Sequence, residues 1–224
     1  MFTQRILTTA ALYSLGGLFV FLTVKSTAAQ DTEVAPVRVL FLGNSLTAGY
    51  GLSINGAYPA LLQNYADSLH WRVIMVNAGV SGDTSAGGLS RLGWQLETPS
   101  DILVIALGSN DGLRGLSPSM TKKNLIEIIL QARASKSDID ILIAGMQVPP
   151  NMGPTFQDEF RGIFATIAEE MDVTLIPFLL EGVGGVRELI QSDGVHPNLA
   201  GQQKLAENVW IFLSPILERY ISKQ

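Results

Sequence analysis

Three short segments of the chain carry residue types that together could perform acyl transfer. They lie far apart in the sequence and read Gly43-Asn44-Ser45-Leu46, Gly108-Ser109-Asn110-Asp111 and Asp193-Gly194-Val195-His196-Pro197. Acyl transfer needs a nucleophile, a base that takes its proton, a group that orients the base, and donors for the developing oxyanion. One candidate for each of these four roles is found in these segments: Ser45, His196, Asp193 and Asn110.

The composition excludes several other kinds of chemistry. The 224-residue chain contains no Cys, which excludes a Cys nucleophile, a disulfide framework and a thiolate metal site. It has only two His residues, His70 and His196, which leaves little from which to build a zinc site. The 15 Lys and Arg residues against 20 Asp and Glu residues give a net charge of −5 without a basic stripe, so we expect no nucleic-acid partner. The length suits one substantial core rather than two domains.

Residues 1–29 have the order of a secretory signal peptide. Arg5 is followed by an uncharged, mostly apolar run over residues 6–24 and then by the small-residue stretch Ser26-Thr27-Ala28-Ala29. The apolar run also approaches the roughly 20 residues that span a bilayer, so an uncleaved N-terminal anchor is the alternative interpretation. Both interpretations predict an exported domain, which is periplasmic or secreted, or tethered by its N-terminal segment.

Beyond the leader, residues 30–36 read as a polar linker and residues 37–224 as one folded domain. Apolar strands alternate there with amphipathic segments. We expect strands at 37–42, 72–76, 102–107, 139–144 and 173–176, and helices at 58–70, from Pro118 through 132, at 159–171 and at 199–221. Near-continuous apolar strands separated by helices are typical of a parallel sheet covered on both faces. The sequence therefore predicts an α/β fold, a three-layer α/β/α sandwich with a mainly parallel five-stranded sheet.

The predicted order of elements brings the chemical motifs to one edge of this sheet. In an open α/β sheet, ligand sites gather beyond the carboxyl ends of the strands. Ser45 follows the first strand, Asn77-Ala78-Gly79 ends the second, Gly108-Ser109-Asn110 follows the third, and residues 147–153 follow the fourth. The segment from Asp193 to His196 precedes the last helix, from which it can fold back over the same edge.

The chain resembles the SGNH (GDSL-type) hydrolase family, and within it the bacterial thioesterase I, lysophospholipase and arylesterase group. Four stretches carry the resemblance, in the family's order and at family-like separations: residues 43–50, 77–85, 108–115 and 193–198. The resemblance implies the flavodoxin-like fold of that family and a serine hydrolase that needs no cofactor or metal. The implied substrates are carboxylic esters and thioesters, namely aryl or alkyl esters, lysophospholipids and acyl thioesters.

The resemblance also implies a role for each motif residue. Ser45 would be the nucleophile and His196 the general base, with Asp193 holding the imidazole. The oxyanion hole would consist of the backbone N–H of Ser45, the backbone N–H of Gly79 and the side-chain amide of Asn110. Elementary chemistry agrees, because the Asp-x-x-His spacing supplies acid and base from one turn, and an amide donor cannot itself capture the acyl group.

Three features around the motifs carry further expectations. The family usually has Asp before the nucleophile, whereas this chain has Asn44, which we expect to tie neighbouring loops together through an uncharged amide. Asp83 and Asp111 are expected to fix loops rather than to catalyse. The segment 82–88 contains three glycines, so it is interpreted either as a flexible connector or, following the family, as a mobile substrate loop.

Each motif also has a purely structural interpretation. Ser45 alone would be a preferred helix N-cap, and Asn110-Asp111-Gly112 alone would be a turn. Asp193-Gly194 could be a turn before Pro197 at the start of a helix. His70, between a helix and a strand, is interpreted as structural. Because all these structural interpretations would have to hold by coincidence, we favour the enzymatic interpretation.

Three functions remain open at this point. The first is hydrolysis of acyl esters and thioesters as small-molecule substrates by a monomer, with contact to lipid substrate at a membrane surface. The second is a carbohydrate O-acetylesterase, which would require an exposed aromatic platform for sugar rings. Trp71, Trp94 and Trp210 are instead expected to pack inside the fold. The third is a non-catalytic binding domain, against which the complete set of reactive residues argues.

Overall fold

The structure is a computed structural model that describes residues 35–223. The predicted leader, residues 1–29, and the predicted linker up to residue 34 lie outside the described residues. The strands are β1 (Val37–Gly43), β2 (Val73–Gly79), β3 (Ile102–Ala106), β4 (Asp140–Ala144) and β5 (Thr174–Ile176). The helices are α1 (Ser45–Ala48), α2 (Tyr58–Ser68), α3 (Ser85–Gln95), α4 (Ser109–Leu113), α5 (Pro118–Ser135), α6 (Pro154–Met171) and α7 (Leu199–Ile221).

The five strands form one parallel sheet in the order β2-β1-β3-β4-β5. In its centre, Val39 of β1 pairs with Met75 of β2 on one side and with Ile102 of β3 on the other. Helices α2 and α7 pack together, and α5 packs between α3 and α6, so the sheet is flanked by helices. The prediction of a five-stranded, three-layer α/β/α fold is confirmed.

The core lies where the sequence is continuously apolar. All five residues of β3 and all but one residue of β1 are buried, as expected for central strands that are covered on both faces. Phe41 of β1 and Phe160 and Phe164 of α6 are among the largest fully buried side chains. Burial of each such side chain stabilises the fold by roughly 1.5–3 kcal/mol. This core gives the carboxyl edge of the sheet a rigid base.

Helix α3 replaces the flexible connector that the glycine-rich segment suggested. Thr84 caps the helix by accepting the N–H of Gly87 at 3.3 Å. Gly88 is required by packing, because a Cβ at this position would lie 2.2 Å from the Leu107 side chain. Tertiary contact thus overrides the weak helix propensity of glycine. The connector interpretation is wrong for Gly87 and Gly88.

The structure shows the surroundings of His70 and of the three tryptophans. His70 is exposed and ends α2 with a left-handed backbone, φ 56°, while the N–H of Trp71 bonds back to the Ala66 carbonyl at 3.0 Å. The rings of Trp71 and Trp210 stack at 5.6 Å as expected. The expectation of packing is wrong for Trp94, which is 71 % exposed.

Neighbouring strands β1 and β3 end beside each other at the point where the strand order reverses. Connections that leave such a pair of strands toward opposite faces open a crevice between their carboxyl ends. Ser45 follows β1 directly and Ser109 follows β3 after a short loop. Both therefore lie at this crevice. Among residues 35–223, no helix has the length and apolar character to cross a bilayer.

Candidate active site

Ser45 is the first residue of α1, and the residue before it anchors that helix. Asn44 is fully buried and caps α1, because its Oδ1 accepts the N–H of Leu46 at 3.0 Å. Its Nδ2 donates to Ser109 Oγ at 2.6 Å and so joins the loop after β1 to α4. The expected loop-tying role of Asn44 is therefore observed. Asn44, not Ser45, is the N-cap, which leaves the Ser45 hydroxyl available for another partner.

His196 provides that partner for Ser45. Its Nε2 lies 3.0 Å from Ser45 Oγ, and its Nδ1 lies 2.7 Å from Asp193 Oδ2. A proton on Nδ1 that is donated to Asp193 leaves Nε2 free to accept the hydroxyl proton of Ser45. The structure therefore brings the three sequence-predicted triad residues into one hydrogen-bonded line.

Asp193 is held as a carboxylate by its own loop. The backbone N–H of His196 donates to Asp193 Oδ1 at 3.0 Å, and the backbone N–H of Val195 donates to the same atom at 2.9 Å. These backbone bonds, followed by the bond from the His196 ring, lower the pKa of Asp193 from 3.8 to about 2. The turn interpretation of Asp193-Gly194 is compatible with this geometry, since the same turn points the carboxylate at the imidazole.

Asn110 is placed in the first turn of α4, not in an isolated turn. One N–H of its amide group donates to the Asp83 carbonyl at 2.9 Å. An Asn amide carries two N–H donors, so one remains for a ligand. Asn110 lines the same cleft as Ser45 and His196. The structure thus brings Asn110 to the site with one amide N–H still available to a ligand.

Gly79 does not line the cleft that holds Ser45, Asn110 and His196. Its N–H is already donated to Asn77 Oδ1 at 2.9 Å. A Cβ at Gly79 would lie 2.3 Å from the backbone nitrogen of Ala48, so the glycine is required by the close approach of α1. The close backbone neighbour of Gly79 is thus α1. Because its N–H is already donated to Asn77, Gly79 is not available as an oxyanion donor.

The cleft in front of Ser45 has a volume of about 600 Å³. Ser45, Asn110 and His196 lie on its lining, and most of the remaining lining is apolar. The apolar lining residues come from helix α4 and three loops and include Leu113, Val148, Pro149, Phe178, Leu180 and Val195. Leu113 and Val195 are each about half exposed, at 51 % and 53 %. The cleft can therefore receive an apolar group of considerable length.

A buried polar network beneath α1 was not predicted. The hydroxyls of Thr47 and Tyr58 are 2.9 Å apart, and the N–H of Tyr58 donates to Gln202 Oε1 at 2.9 Å. Gln202 Nε2 in turn donates to the Leu46 carbonyl at 3.1 Å. Burial raises the pKa of the Tyr58 hydroxyl well above its usual range. Since Gln202 is 144 positions from Tyr58, no local sequence pattern could indicate this support.

Two acidic residues fix the loops around the site, as expected. Asp111 is buried and accepts from the backbone N–H and the hydroxyl of Ser85, at 2.8 and 2.5 Å, which joins α3 to α4. Asp83 pairs with Arg91 at 2.6 Å. Arg91 also donates to the Gly43 carbonyl at 3.0 Å, just ahead of the Asn44-Ser45 pair. Within residues 35–223 there is no group of three or more His, Cys, Asp or Glu that could hold a metal ion.

The fold and the site together define an α/β hydrolytic enzyme with a serine–histidine pair at the switch point of its sheet. A sequence model of the GDSL-like Lipase/Acylhydrolase family matches residues 41–204. The chain therefore belongs to this family.

Individual relatives support the same assignment. Esterase TesA of Pseudomonas aeruginosa is 42 % identical over 186 residues, which cover 83 % of this chain and 92 % of TesA. Thioesterase 1/protease 1/lysophospholipase L1 of Escherichia coli K12 is 38 % identical over 202 residues, which cover 89 % of this chain and 91 % of that protein. The crystal structure of the psychrotrophic esterase EstA from Pseudoalteromonas sp., inhibited by monoethylphosphonate, matches with a TM-score of 0.76 and 31 % identity over 81 % of this chain and 98 % of EstA. The chain is a carboxylic ester hydrolase.

Proposed function

We propose that this enzyme hydrolyses carboxylic esters and thioesters through an acyl-enzyme on Ser45. The observation that carries the proposal is the continuous line from Ser45 Oγ through His196 to Asp193, with separations of 3.0 and 2.7 Å. A hydroxyl in contact with an imidazole that is itself oriented by a carboxylate can be deprotonated as it attacks.

In the proposed acylation step, Ser45 Oγ attacks the carbonyl carbon while its proton passes to His196 Nε2. The tetrahedral intermediate collapses when the bond to the leaving oxygen or sulfur breaks, and His196 returns the proton to that atom. Water then attacks the acyl-enzyme, with His196 again taking a proton, and Ser45 is released as the hydroxyl. Asp193 remains ionised throughout and keeps the imidazole oriented.

Two of the proposed oxyanion donors are the backbone N–H of Ser45 and the second N–H of the Asn110 amide. For the third, the turn beside Asn110 replaces Gly79. The N–H of Asp83 closes this turn on the Val80 carbonyl at 3.1 Å, and Asn110 holds the turn through the Asp83 carbonyl. Gly82 lies at its third position with φ 87°, where the N–H is not used by the turn's own hydrogen bond. We assign the third donor to Gly82.

The proposed substrates carry an acyl chain that lies against the apolar lining residues of the cleft, which form its apolar wall. Each CH₂ group removed from water contributes about 0.8 kcal/mol, so affinity should rise with chain length until the wall ends. A carbohydrate O-acetylesterase is less well supported, because Phe178 is the one Phe, Tyr or Trp residue in the described lining of the cleft and the exposed Trp94 does not line it. The order of residues 1–29 supports export. We further propose that the enzyme is a monomer that acts on small esters, or on lipid esters at a membrane surface.

A panel of esters tests the proposal. The purified protein and its Ser45→Ala variant are assayed on acyl groups of increasing length, each attached through oxygen and through sulfur. We expect turnover of both bond types by the wild type and none by Ser45→Ala, while circular dichroism shows that the variant is folded. Substantial turnover by folded Ser45→Ala would contradict the proposed mechanism, and failure on every thioester would restrict the enzyme to oxygen esters.

A further inference from the structure

The loop that carries His196 is a small hairpin whose two sides meet at Gln191. Ile190 and Pro197 form an isolated antiparallel bridge at the base of the hairpin. The backbone N–H of Gln191 donates to the His196 carbonyl at 2.7 Å, and the Gln191 carbonyl accepts the N–H of Gly194 at 3.0 Å. Gln191 therefore faces the general base across the hairpin while lying outside the reacting line.

The side chain of Gln191 reaches from this hairpin to the loop that follows Ser45. Its Nε2 donates to the Tyr50 carbonyl at 2.6 Å and to the Pro197 carbonyl at 3.0 Å. The first of these bonds joins residues 141 positions apart in the sequence. Both N–H groups of the amide are used, so the side chain connects the two loops and has no donor left for a substrate.

Tyr50 completes the connection on the nucleophile side. Its backbone N–H donates to the Ser45 carbonyl at 3.1 Å, and its ring lies over the His196 ring with centroids 4.5 Å apart and planes inclined by 37°. One residue thus contacts the nucleophile through its N–H, Gln191 through its carbonyl, and the general base through its ring.

The residue after Tyr50 is a glycine, which leaves room for this contact. A Cβ at position 51 would lie 2.2 Å from Gln191 Oε1, and Gly51 has φ 79°. Any side chain here would have to displace the Gln191 amide. The absence of a side chain at Gly51 therefore leaves the space that the Gln191 side chain occupies.

We propose that Gln191 is a positioning residue, which fixes the His196 hairpin against the Ser45 loop through the Tyr50 carbonyl and so sets the Ser45–His196 separation. This inference rests on the proposed roles of Ser45 and His196. Ser45 lies in α1 and His196 in a hairpin, and within residues 35–223 no strand pairing joins the two segments. Proton transfer requires their atoms to stay within hydrogen-bond distance. A displacement of about 1 Å in such a pair can lower the rate by about 100-fold.

The test compares Gln191→Met with a matched variant, Gln63→Met. Methionine keeps the length of the side chain and removes its hydrogen bonds. Gln63 makes equivalent bonds far from the cleft, since its side chain donates to the Val73 carbonyl at 3.0 Å and accepts the N–H of Met75 at 2.8 Å. Each variant is assayed on a short-chain p-nitrophenyl ester, with rates normalised to the sites that an organophosphonate titrates.

For Gln191→Met, we expect kcat to fall about 10- to 100-fold with KM within about twofold of wild type, and the rate of phosphonylation of Ser45 to fall in parallel. Gln63→Met should lower Tm and leave kcat per titrated site unchanged. Gly51→Ala should reproduce the loss of kcat with Gln191 still present. A purely structural Gln191 would give a lowered Tm with unchanged kcat per titrated site, and that result would overturn the proposal. The Ser45→Ala variant in the same assay reports separately on the proposed function, because its activity does not depend on the role of Gln191.

Discussion

His196 Nε2 lies 3.0 Å from Ser45 Oγ although 151 positions of sequence separate the two residues. Ser45 is the first residue of α1, and the buried side chain of Asn44 caps this helix. His196 lies in a hairpin that ends just before α7. The sheet order brings these segments to one edge, and local hydrogen bonds then set the separation.

The two histidines should respond in opposite ways to substitution. His196→Ala should lower kcat by roughly 10⁴-fold, because the proposed acylation step loses its base. His70→Gly should raise Tm by roughly 2–4 °C without changing kcat, since glycine relieves the left-handed backbone at the end of α2. Steady-state kinetics and thermal melts of both variants check this pair. Retention of kcat in folded His196→Ala would contradict the assignment of the base.

Asn110→Ala separates an oxyanion donor from a loop-fixing residue. Loss of a donor that acts only on the developing oxyanion should lower kcat by roughly 10²–10³-fold with little change in KM. The lost bond to Asp83 should cost only about 1 kcal/mol of folding free energy. Asn124→Ala is the matched control, because its amide donates to Ser85 Oγ at 2.9 Å without lining the cleft. Asn124→Ala should lower Tm without changing kcat. If Asn110→Ala gave the same result, Asn110 would not be an oxyanion donor.

Asp193 should make a stabilising contribution that disappears in acid. Its pKa of about 2 in the folded protein lies below the ordinary 3.8, so the ionised carboxylate favours the folded state. That contribution is complete above about pH 4 and is lost as the pH falls through about 2. The difference in Tm between wild type and Asp193→Asn should therefore be present above about pH 4 and shrink toward zero near pH 2. A difference that grew on acidification would be the opposite of this expectation.

The buried hydroxyl pair beneath α1 should be important for stability. Tyr58→Phe leaves the fully buried Thr47 hydroxyl without its partner, which should cost about 1–3 kcal/mol of unfolding free energy. Tyr220→Phe should cost less, because the Tyr220 hydroxyl donates to the Asp101 carbonyl at a partly exposed position where water can replace it. Denaturant melts compare the two variants. Equal losses would mean that burial of the Thr47–Tyr58 pair is not what determines the cost.

Much of the fold could be predicted because its central strands are simple apolar runs. The predicted strands 37–42, 102–107 and 139–144 end within one residue of the observed β1, β3 and β4, and the predicted helix 199–221 coincides with α7. Helix α3 was missed because its glycines disfavour a helix locally, and its packing against Leu107 is not visible in the local pattern. The sequence predicts that α6 begins at 159, whereas the helix begins at Pro154. Its first turn is largely exposed, so no apolar pattern indicates this earlier start.

The residues of the site likewise divide into those that the sequence predicts and those that it does not. Ser45, Asn110, Asp193 and His196 stand in short motifs. The structure places Ser45, Asn110 and His196 on the lining of one cleft, with Asp193 in contact with the His196 ring. The family resemblance assigned Gly79 to the oxyanion hole, but the sequence could not show that its close backbone neighbour is α1. Gln191 and Gln202 could not be predicted, because their partners lie 141 and 156 positions away.

Covalent labelling tests the central claim, that Ser45 forms the acyl-enzyme, most directly. The wild-type protein is treated with an organophosphonate ester, and the product is analysed by intact mass and by peptide mapping. We predict one label for each inactivated molecule, located on Ser45, and no label in the Ser45→Ala or His196→Ala variants over the same time. A label on another residue, or complete inactivation without modification of Ser45, would contradict the account.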